Sequence, residues 1–201
     1  MMPNFTDLTG LASVAVVGAA AVALLPGIRR FTLYRLAMLQ GAVFVLMLIP
    51  FSGMPLAAYV RGATGDLSIT ALVLLWITLL RPWCNCGVND ASRHALLILV
   101  ALAALALYPM ALGAGAFDPY RLGYGDPLFV SALLLAALAA WLRKLTLIAL
   151  CIAFAALAWA AGWYESGNLW DYLIDPFVTI YALAAVMIRA VRAPSKPASR
   201  E

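Results

Sequence analysis

The sequence predicts an all-α, polytopic membrane bundle of about seven transmembrane helices, with the amino terminus outside and the carboxyl terminus cytoplasmic. Three observations favour it: 66% of the 201 residues are hydrophobic, 11% are charged, and the mean hydropathy is +0.98. Soluble domains are closer to half apolar and a quarter charged. A water-soluble domain of this size could not cover so much apolar surface with polar groups. The composition therefore excludes soluble enzymes, disordered tails, coiled coils and disulfide scaffolds.

Seven apolar runs could cross the roughly 30 Å hydrocarbon core as helices. They are residues 8–25, 31–51, 67–80, 95–112, 128–142, 145–163 and 176–191. The third run has only 14 residues, so we expect it to borrow residues from 56–60 or to lie where the bilayer is thinned. The fifth and sixth runs are separated only by Arg143 and Lys144, without a Gly or Pro. One long bent helix there, giving six spans, is the alternative.

The charged residues orient these spans. With the amino terminus outside, eleven Lys and Arg residues fall inside, and only Arg61 and Arg121 fall outside. Such an excess of inside cations is typical of membrane proteins. The outside acids are Asp7, Asp66, Asp118, Asp126, Glu165, Asp171 and Asp175. Four of them precede an inward-running span, where a carboxylate caps the helix start and meets the positive end of its dipole. They are Asp7, Asp66, Asp126 and Asp175.

The chain is predicted to form one transmembrane helical domain over residues 1–191, followed by a polar cytoplasmic tail over 192–201. No basic residue precedes the first apolar run, so that run is expected to be an uncleaved span rather than a secretory signal. The preference for Arg over Lys, with abundant Ala and Leu, is typical of a bacterium with GC-rich DNA. The expected location is therefore a bacterial cell inner membrane, as a multi-pass protein.

Two outside loops, 113–127 and 163–175, contain the acids that helix capping leaves unexplained. Trp and Tyr are enriched where a membrane meets water, so the ordinary interpretation is that the Trp and Tyr residues of these loops form an interfacial belt. The alternative is an outer cap that recognises a partner or a lipid headgroup, with Arg121 paired to Asp118, Glu165 or Asp171. The candidate surface consists of Asp118, Tyr120, Arg121, Glu165, Trp170 and Asp171.

The inside loop 81–94 contains Cys84, Cys86 and His94, which are good ligands for soft or borderline metals. The spacing Cys-x-Cys is too tight for the usual structural zinc site, and a second Cys/His pair is missing. An ordinary polar loop is the alternative, and no cofactor is predicted.

Function is predicted mainly from what the spans lack. No Asp, Glu, Lys or His lies in the middle of a predicted span, and Gln40 is the most polar deep residue. Ion-coupled transporters usually need ionisable groups at such depth. The leading hypothesis is a non-catalytic accessory or scaffolding component of a larger envelope system. Its partners would be the lipid bilayer and a membrane or periplasmic protein, without nucleic acid.

Two alternatives remain open. A transporter or channel-like protein for a small or lipidic substrate should have a water-accessible cavity near Gln40. The second is a membrane enzyme or a thiol- or metal-dependent membrane protein that uses the Cys84/Cys86 loop. A membrane enzyme should bring ionisable groups together at one membrane face.

Overall fold

The computed structural model describes residues 5–22, 25, 31–80, 83 and 89–192, most of which are helical. A short antiparallel hairpin of β1 (Pro50–Phe51) and β2 (Met54–Pro55) interrupts the helices. A 3-10 helix spans Pro119–Tyr124. The α-helices are α1 (Phe5–Val22), α2 (Leu33–Leu48), α3 (Leu56–Thr64), α4 (Ile69–Leu80), α5 (Asp90–Ala111), α6 (Pro127–Leu142), α7 (Thr146–Ala160), α8 (Leu169–Leu173) and α9 (Pro176–Arg192). The all-α prediction is confirmed.

One helix in these described ranges, α5, is both long and apolar enough to cross a membrane. Five shorter apolar helices accompany it: α1, α2, α4, α6 and α7. These six helices and α9 coincide with the seven predicted runs, although the number of membrane passages stays a prediction.

The ends of several helices differ from the predicted bounds for local reasons. Helix α5 begins five residues before the predicted run, because the side chain of Asn89 accepts a hydrogen bond from the Ala91 N–H and caps it. Helix α7 ends at Ala160, before the predicted end. Gly162 follows it with a φ of 61°, and its N–H bonds to the Trp159 carbonyl, which is a common way to end a helix.

The third apolar run does not borrow residues from 56–60, so that expectation is wrong. Those residues belong to the separate helix α3, which ends before Gly65. Gly65 has a φ of 73°, a conformation that glycine adopts without steric cost. Helix α4 is therefore only 12 residues long.

The chain turns at Arg143–Lys144, and a single long helix there is excluded. Helix α6 ends at Leu142, helix α7 begins at Thr146, and the two helices pack against each other. The Leu145 N–H bonds to the Ala140 carbonyl at 2.8 Å, and the Lys144 N–H bonds to the Trp141 carbonyl at 2.9 Å. These two bonds form a Schellman motif, in which Lys144 takes the left-handed position with a φ of 59°.

The helices alternate in direction, which gives the bundle two ends of opposite charge. The start of α4 meets the start of α9, and the end of α7 leads into α8, which packs on the 3-10 helix. We call this the acidic end. Its charged residues are Asp7, Arg61, Asp66, Asp118, Arg121, Asp126, Glu165, Asp171 and Asp175. At the other, basic end, the described charged residues are Arg35, Asp90, Arg93, Arg143, Lys144, Arg189 and Arg192, alongside His94.

We predict that Lys144→Gly raises the unfolding temperature of the purified protein. Glycine relieves the left-handed strain of Lys144 by about 1 kcal/mol, and a thermal unfolding curve in detergent measures the change. Arg143 is the matched control, because its φ of −85° is unstrained. Arg143→Gly should leave the unfolding temperature unchanged or lower it. If both substitutions lower it equally, the turn is not strained at Lys144.

Candidate functional site

Asp175 joins the starts of α4 and α9 at the acidic end. Its Oδ2 accepts hydrogen bonds from the Ser68 N–H at 2.8 Å and the Ser68 hydroxyl at 2.6 Å. Its Oδ1 accepts from the N–H groups of Phe177 and Val178, at 2.7 and 2.8 Å. The carboxylate is buried, so these four donors replace the water that it loses. The predicted helix-capping role of Asp175 is confirmed.

Of the other three predicted caps, Asp7 does not precede its helix but lies within the first turn of α1, where it still meets the positive end of the helix dipole. Asp126 caps α6 by accepting from the Leu128 and Phe129 N–H groups, as predicted. Asp66 does not cap α4, because Ser68 takes that role by accepting from the Ala71 N–H at 3.1 Å. Asp66 instead forms an ion pair.

Arg61 forms that ion pair and collects two further carboxylates around it. Its Nε and Nη2 donate to the two oxygens of Asp66, at 2.6 and 3.0 Å. Its Nη1 lies 3.3 Å from Asp7, and its Nη2 lies 3.7 Å from Glu165. The hydrogen bond to Asp66 contributes most to raising the pKa of Arg61 above its usual value. A paired, two-bond contact of this kind fixes orientation as well as charge.

Gly10 makes room for this network. A Cβ atom on Gly10 would lie 2.4 Å from the Arg61 Nε and 2.7 Å from the Asp66 Oδ1. The absence of a side chain on α1 therefore lets the guanidinium lie directly against the helix backbone. Helix α1 also reaches the 163–175 loop, since the Thr9 hydroxyl donates to the Trp163 carbonyl.

Asp171 holds the two predicted cap loops together. The Tyr120 hydroxyl lies 2.9 and 3.0 Å from its two carboxylate oxygens, and the Ser166 hydroxyl donates to it at 2.5 Å. Tyr120 belongs to the 3-10 helix in loop 113–127, whereas Asp171 lies in α8. This contact therefore joins residues 51 positions apart.

Asn168 and Trp170 complete the contact between the loops. The fully buried Asn168 amide donates to the Tyr120 carbonyl at 2.9 Å, and its oxygen accepts from the Trp170 N–H at 2.9 Å. The Trp170 indole N–H donates to the Pro119 carbonyl at 3.0 Å, and its ring packs on Phe129. The prediction that loops 113–127 and 163–175 pack together is confirmed.

The expected pairing of Arg121 is wrong. Arg121 is exposed and forms no ion pair with any residue in the described ranges, where all three ion pairs belong to Arg61. Glu165 faces Arg61, Asp171 accepts from hydroxyl groups, and Asp118 caps the 3-10 helix by accepting from the Tyr120 N–H. Neutral donors satisfy Asp118 and Asp171, which a search for opposite charges does not anticipate.

A cavity of about 430 Å³ lies among these groups, and we call it the acidic cavity. Among the described residues, its lining contains three carboxylates and four aromatic rings, and Arg61, which pairs with Asp66, lies outside that lining. The carboxylates are Asp66, Asp171 and Asp175, and the rings are Tyr108, Tyr120, Tyr164 and Trp170. Of the six predicted surface residues, Tyr120, Trp170 and Asp171 line this cavity.

Three tyrosines in or beside the cavity, Tyr120, Tyr164 and Tyr172, have raised pKa values. Burial raises the pKa of Tyr164 to about 12. Burial also raises the pKa of Tyr120, and its hydrogen bond to the Asp171 carboxylate adds to the effect. Burial also raises the pKa of Tyr172, which lies beside Tyr164. These phenols therefore act as neutral hydrogen-bond groups rather than as bases near neutral pH.

Sequence reasoning missed Arg61, Tyr164 and Ser68 as members of this end of the bundle. A signal was available for Arg61, because it is one of only two cations among seven predicted outside acids. Tyr164 and Ser68 carry no such signal, since their roles depend on which helices meet.

The structure describes one of the three predicted metal ligands, His94. Cys84 and Cys86 lie outside the described residues. His94 lies at the basic end, where it lines a cavity with Arg93 and Arg189. No group of three His, Cys, Asp or Glu side chains suited to a metal occurs in the ranges that the structure describes.

We predict that Gly123→Ala disrupts the contact between the cap loops. A Cβ there would lie 1.8 Å from the Asn168 Oδ1, so the buried amide must move and lose its partners. The expected cost is about 2–3 kcal/mol of unfolding free energy, measured by denaturation in detergent. Gly115→Ala in the same loop has open space around its Cβ and should change stability by less than about 0.5 kcal/mol. Equal effects would contradict the tight fit at Gly123.

A second prediction compares the two arginines of the acidic end. Arg61→Met removes the charge that Asp7, Asp66 and Glu165 share, and should cost roughly 2 kcal/mol of unfolding free energy. Arg121→Met makes the same chemical change at an exposed, unpaired site and should cost less than about 0.5 kcal/mol. Thermal unfolding of both purified variants measures the difference. A larger loss in Arg121→Met would overturn the assigned ion pairs.

The chain matches no protein-family model, and it shows no significant similarity to a curated protein or to a solved structure. The argument for function therefore depends on the geometry of this chain.

Proposed function

We propose that this protein is a non-catalytic, multi-pass accessory component of the cell inner membrane. In this proposal it spans the bilayer seven times, with its acidic end outside, and there binds a cationic side chain of a membrane or periplasmic partner protein. The acidic cavity carries the proposal, because its described lining brings three carboxylates and four aromatic rings to one space, and among the described residues only Asp66 of these carboxylates is paired with a cation.

Helix α6 supports membrane insertion. Its 16 residues are apolar except for Ser131, yet only Ala140 among them is buried. Leu128, Leu135 and Leu142 are exposed by 81%, 66% and 73%. A helix that is apolar on every side is normally buried in protein or in lipid, and protein does not cover this one.

The opposite charges of the two ends support the orientation. Cations dominate the basic end, as expected for a cytoplasmic face, and acids dominate the other. A turn at Arg143–Lys144 keeps this sorting intact downstream, because it makes α6 and α7 two separate passages.

The chemistry of the acidic cavity favours binding of a cation. Aromatic faces attract ammonium and guanidinium groups, and nearby carboxylates strengthen that attraction. Tyr124, which is 64% exposed, packs edge-on against Tyr120 with ring centroids 5.9 Å apart. An exposed aromatic beside the cavity suits a protein partner, because interfaces are enriched in Tyr and Trp.

The three carboxylates of the acidic cavity already make contacts that hold the fold, and this favours a binding role over catalysis. Asp175 is occupied by four donors, Asp66 by Arg61, and Asp171 by two hydroxyl groups. Ionisable groups do converge here, as an enzyme would require, but hydrogen bonds that hold the fold already occupy them. The transporter alternative has less support, because Gln40 is buried and does not line the acidic cavity.

A peptide titration tests cation binding. The full-length protein in detergent is titrated with a labelled lysine-rich peptide and with a glutamate-rich peptide of equal length. We expect only the lysine-rich peptide to bind. Asp171→Asn, which keeps an acceptor oxygen for Tyr120, should weaken that binding about tenfold, equivalent to about 1.4 kcal/mol.

Glu165→Gln is the matched control, because it removes one negative charge from the same end but outside the cavity lining. It should weaken binding by less than about twofold. Equal binding of both peptides, or equal loss in both variants, would contradict a specific cation site.

A further inference from the structure

A second cavity, at the basic end, has the opposite character. We call it the basic cleft; its volume is about 260 Å³. One face of α5 contributes Asp90, Arg93, His94 and Leu97, whose spacing of three and four residues places them on one side of the helix. The facing side of α9 contributes Tyr181, Ala185 and Arg189. The small Ala185 leaves the space open between the charged groups.

An apolar groove adjoins the basic cleft. The groove has a volume of about 430 Å³ and lies between α1, α3, α4 and α9, with Val17, Leu74 and Phe177 among its lining residues. Arg93 and Tyr181 line both the groove and the cleft. The Arg93 Nη2 donates to the Tyr181 hydroxyl at 2.5 Å, which places the guanidinium at the boundary between apolar and basic walls.

Within the described residues, the two arginines of the cleft, Arg93 and Arg189, have no carboxylate paired with them. Among the described lining residues, Asp90 is the one acid and Arg93 and Arg189 are the two arginines. The bound partner of Arg93 is a neutral phenol, so its charge is available to an anion.

We infer that the basic cleft and the apolar groove together bind one anionic phospholipid. The phosphate lies between Arg93 and Arg189, and one acyl chain lies along the groove. Guanidinium groups bind phosphate through paired hydrogen bonds, and basic pockets between membrane helices recognise anionic headgroups. The apolar wall beside Arg93 selects a lipid over free phosphate. This site is separate from the acidic cavity; the inference rests on the proposed membrane insertion but not on cation binding at the acidic end.

A lipid-binding measurement tests this inference. The delipidated full-length protein in detergent is titrated with tail-labelled phosphatidylglycerol and with phosphatidylcholine of the same acyl chains. We expect phosphatidylglycerol to bind at least about tenfold more tightly. Inorganic phosphate at the same concentration should not displace it. Equal affinity for the two lipids, or displacement by equimolar phosphate, would overturn the inference.

Matched variants locate the site. Arg189→Gln and Arg93→Gln should each weaken phosphatidylglycerol binding about fivefold or more. Arg192→Gln, on the same helix but outside the cleft lining, should weaken it by less than about twofold. Ala185→Leu fills the cleft without changing charge and should also weaken binding. Unfolding temperatures measured without lipid verify that the variants fold. If Arg192→Gln weakens phosphatidylglycerol binding as much as Arg189→Gln does, the lipid responds to the overall positive charge of this end, and the assigned site is wrong.

Discussion

Burying carboxylates in a largely apolar chain is the constraint on which this structure depends. A carboxylate removed from water needs hydrogen-bond donors or a cation. Asp175 obtains four donors from the starts of α4 and α9. Asp66 pairs with Arg61 of α3, and Asp171 accepts hydrogen bonds from the hydroxyls of Tyr120 and Ser166. Asp175 and Asp171 are thus each satisfied in part from another segment, and these contacts tie helices and loops together at the acidic end.

The same contacts give the two ends of the bundle different capacities. At the acidic end, the carboxylates that hold the loops together also line a cavity with aromatic walls, which suits a cationic group. At the basic end, Arg93 and Arg189 form no ion pair within the described residues, and Arg93 also borders an apolar groove. A protein partner at one face and an anionic lipid at the other would suit a component that is positioned in the membrane by lipid and recognised from outside.

The sequence predicted most of the helices, because apolar runs and N-cap residues are local signals. Asp126 and Asp175 each precede a proline at a helix start, and both cap as expected. The partners of the remaining acids depended on tertiary contacts: Arg61 approaches Asp66 because Gly10 leaves space on another helix. The turn at Lys144 was uncertain because lysine seldom takes a left-handed conformation. Because the cap loops are short and join neighbouring helices, the sequence predicted that they touch. It did not predict which groups donate the hydrogen bonds between them.

The central claim is that the acidic end lies outside the membrane and the opposite end lies in the cytoplasm. Cysteine labelling with a membrane-impermeant maleimide in intact cells tests it most directly, using a cysteine-free background. A cysteine fits at Gly167, where a Cβ meets no atom within 4 Å, and a second is placed at Ser195 in the carboxyl-terminal tail. The account predicts labelling of position 167 in intact cells and of position 195 only after permeabilisation. Labelling of position 195 from outside, or protection of position 167, would contradict it.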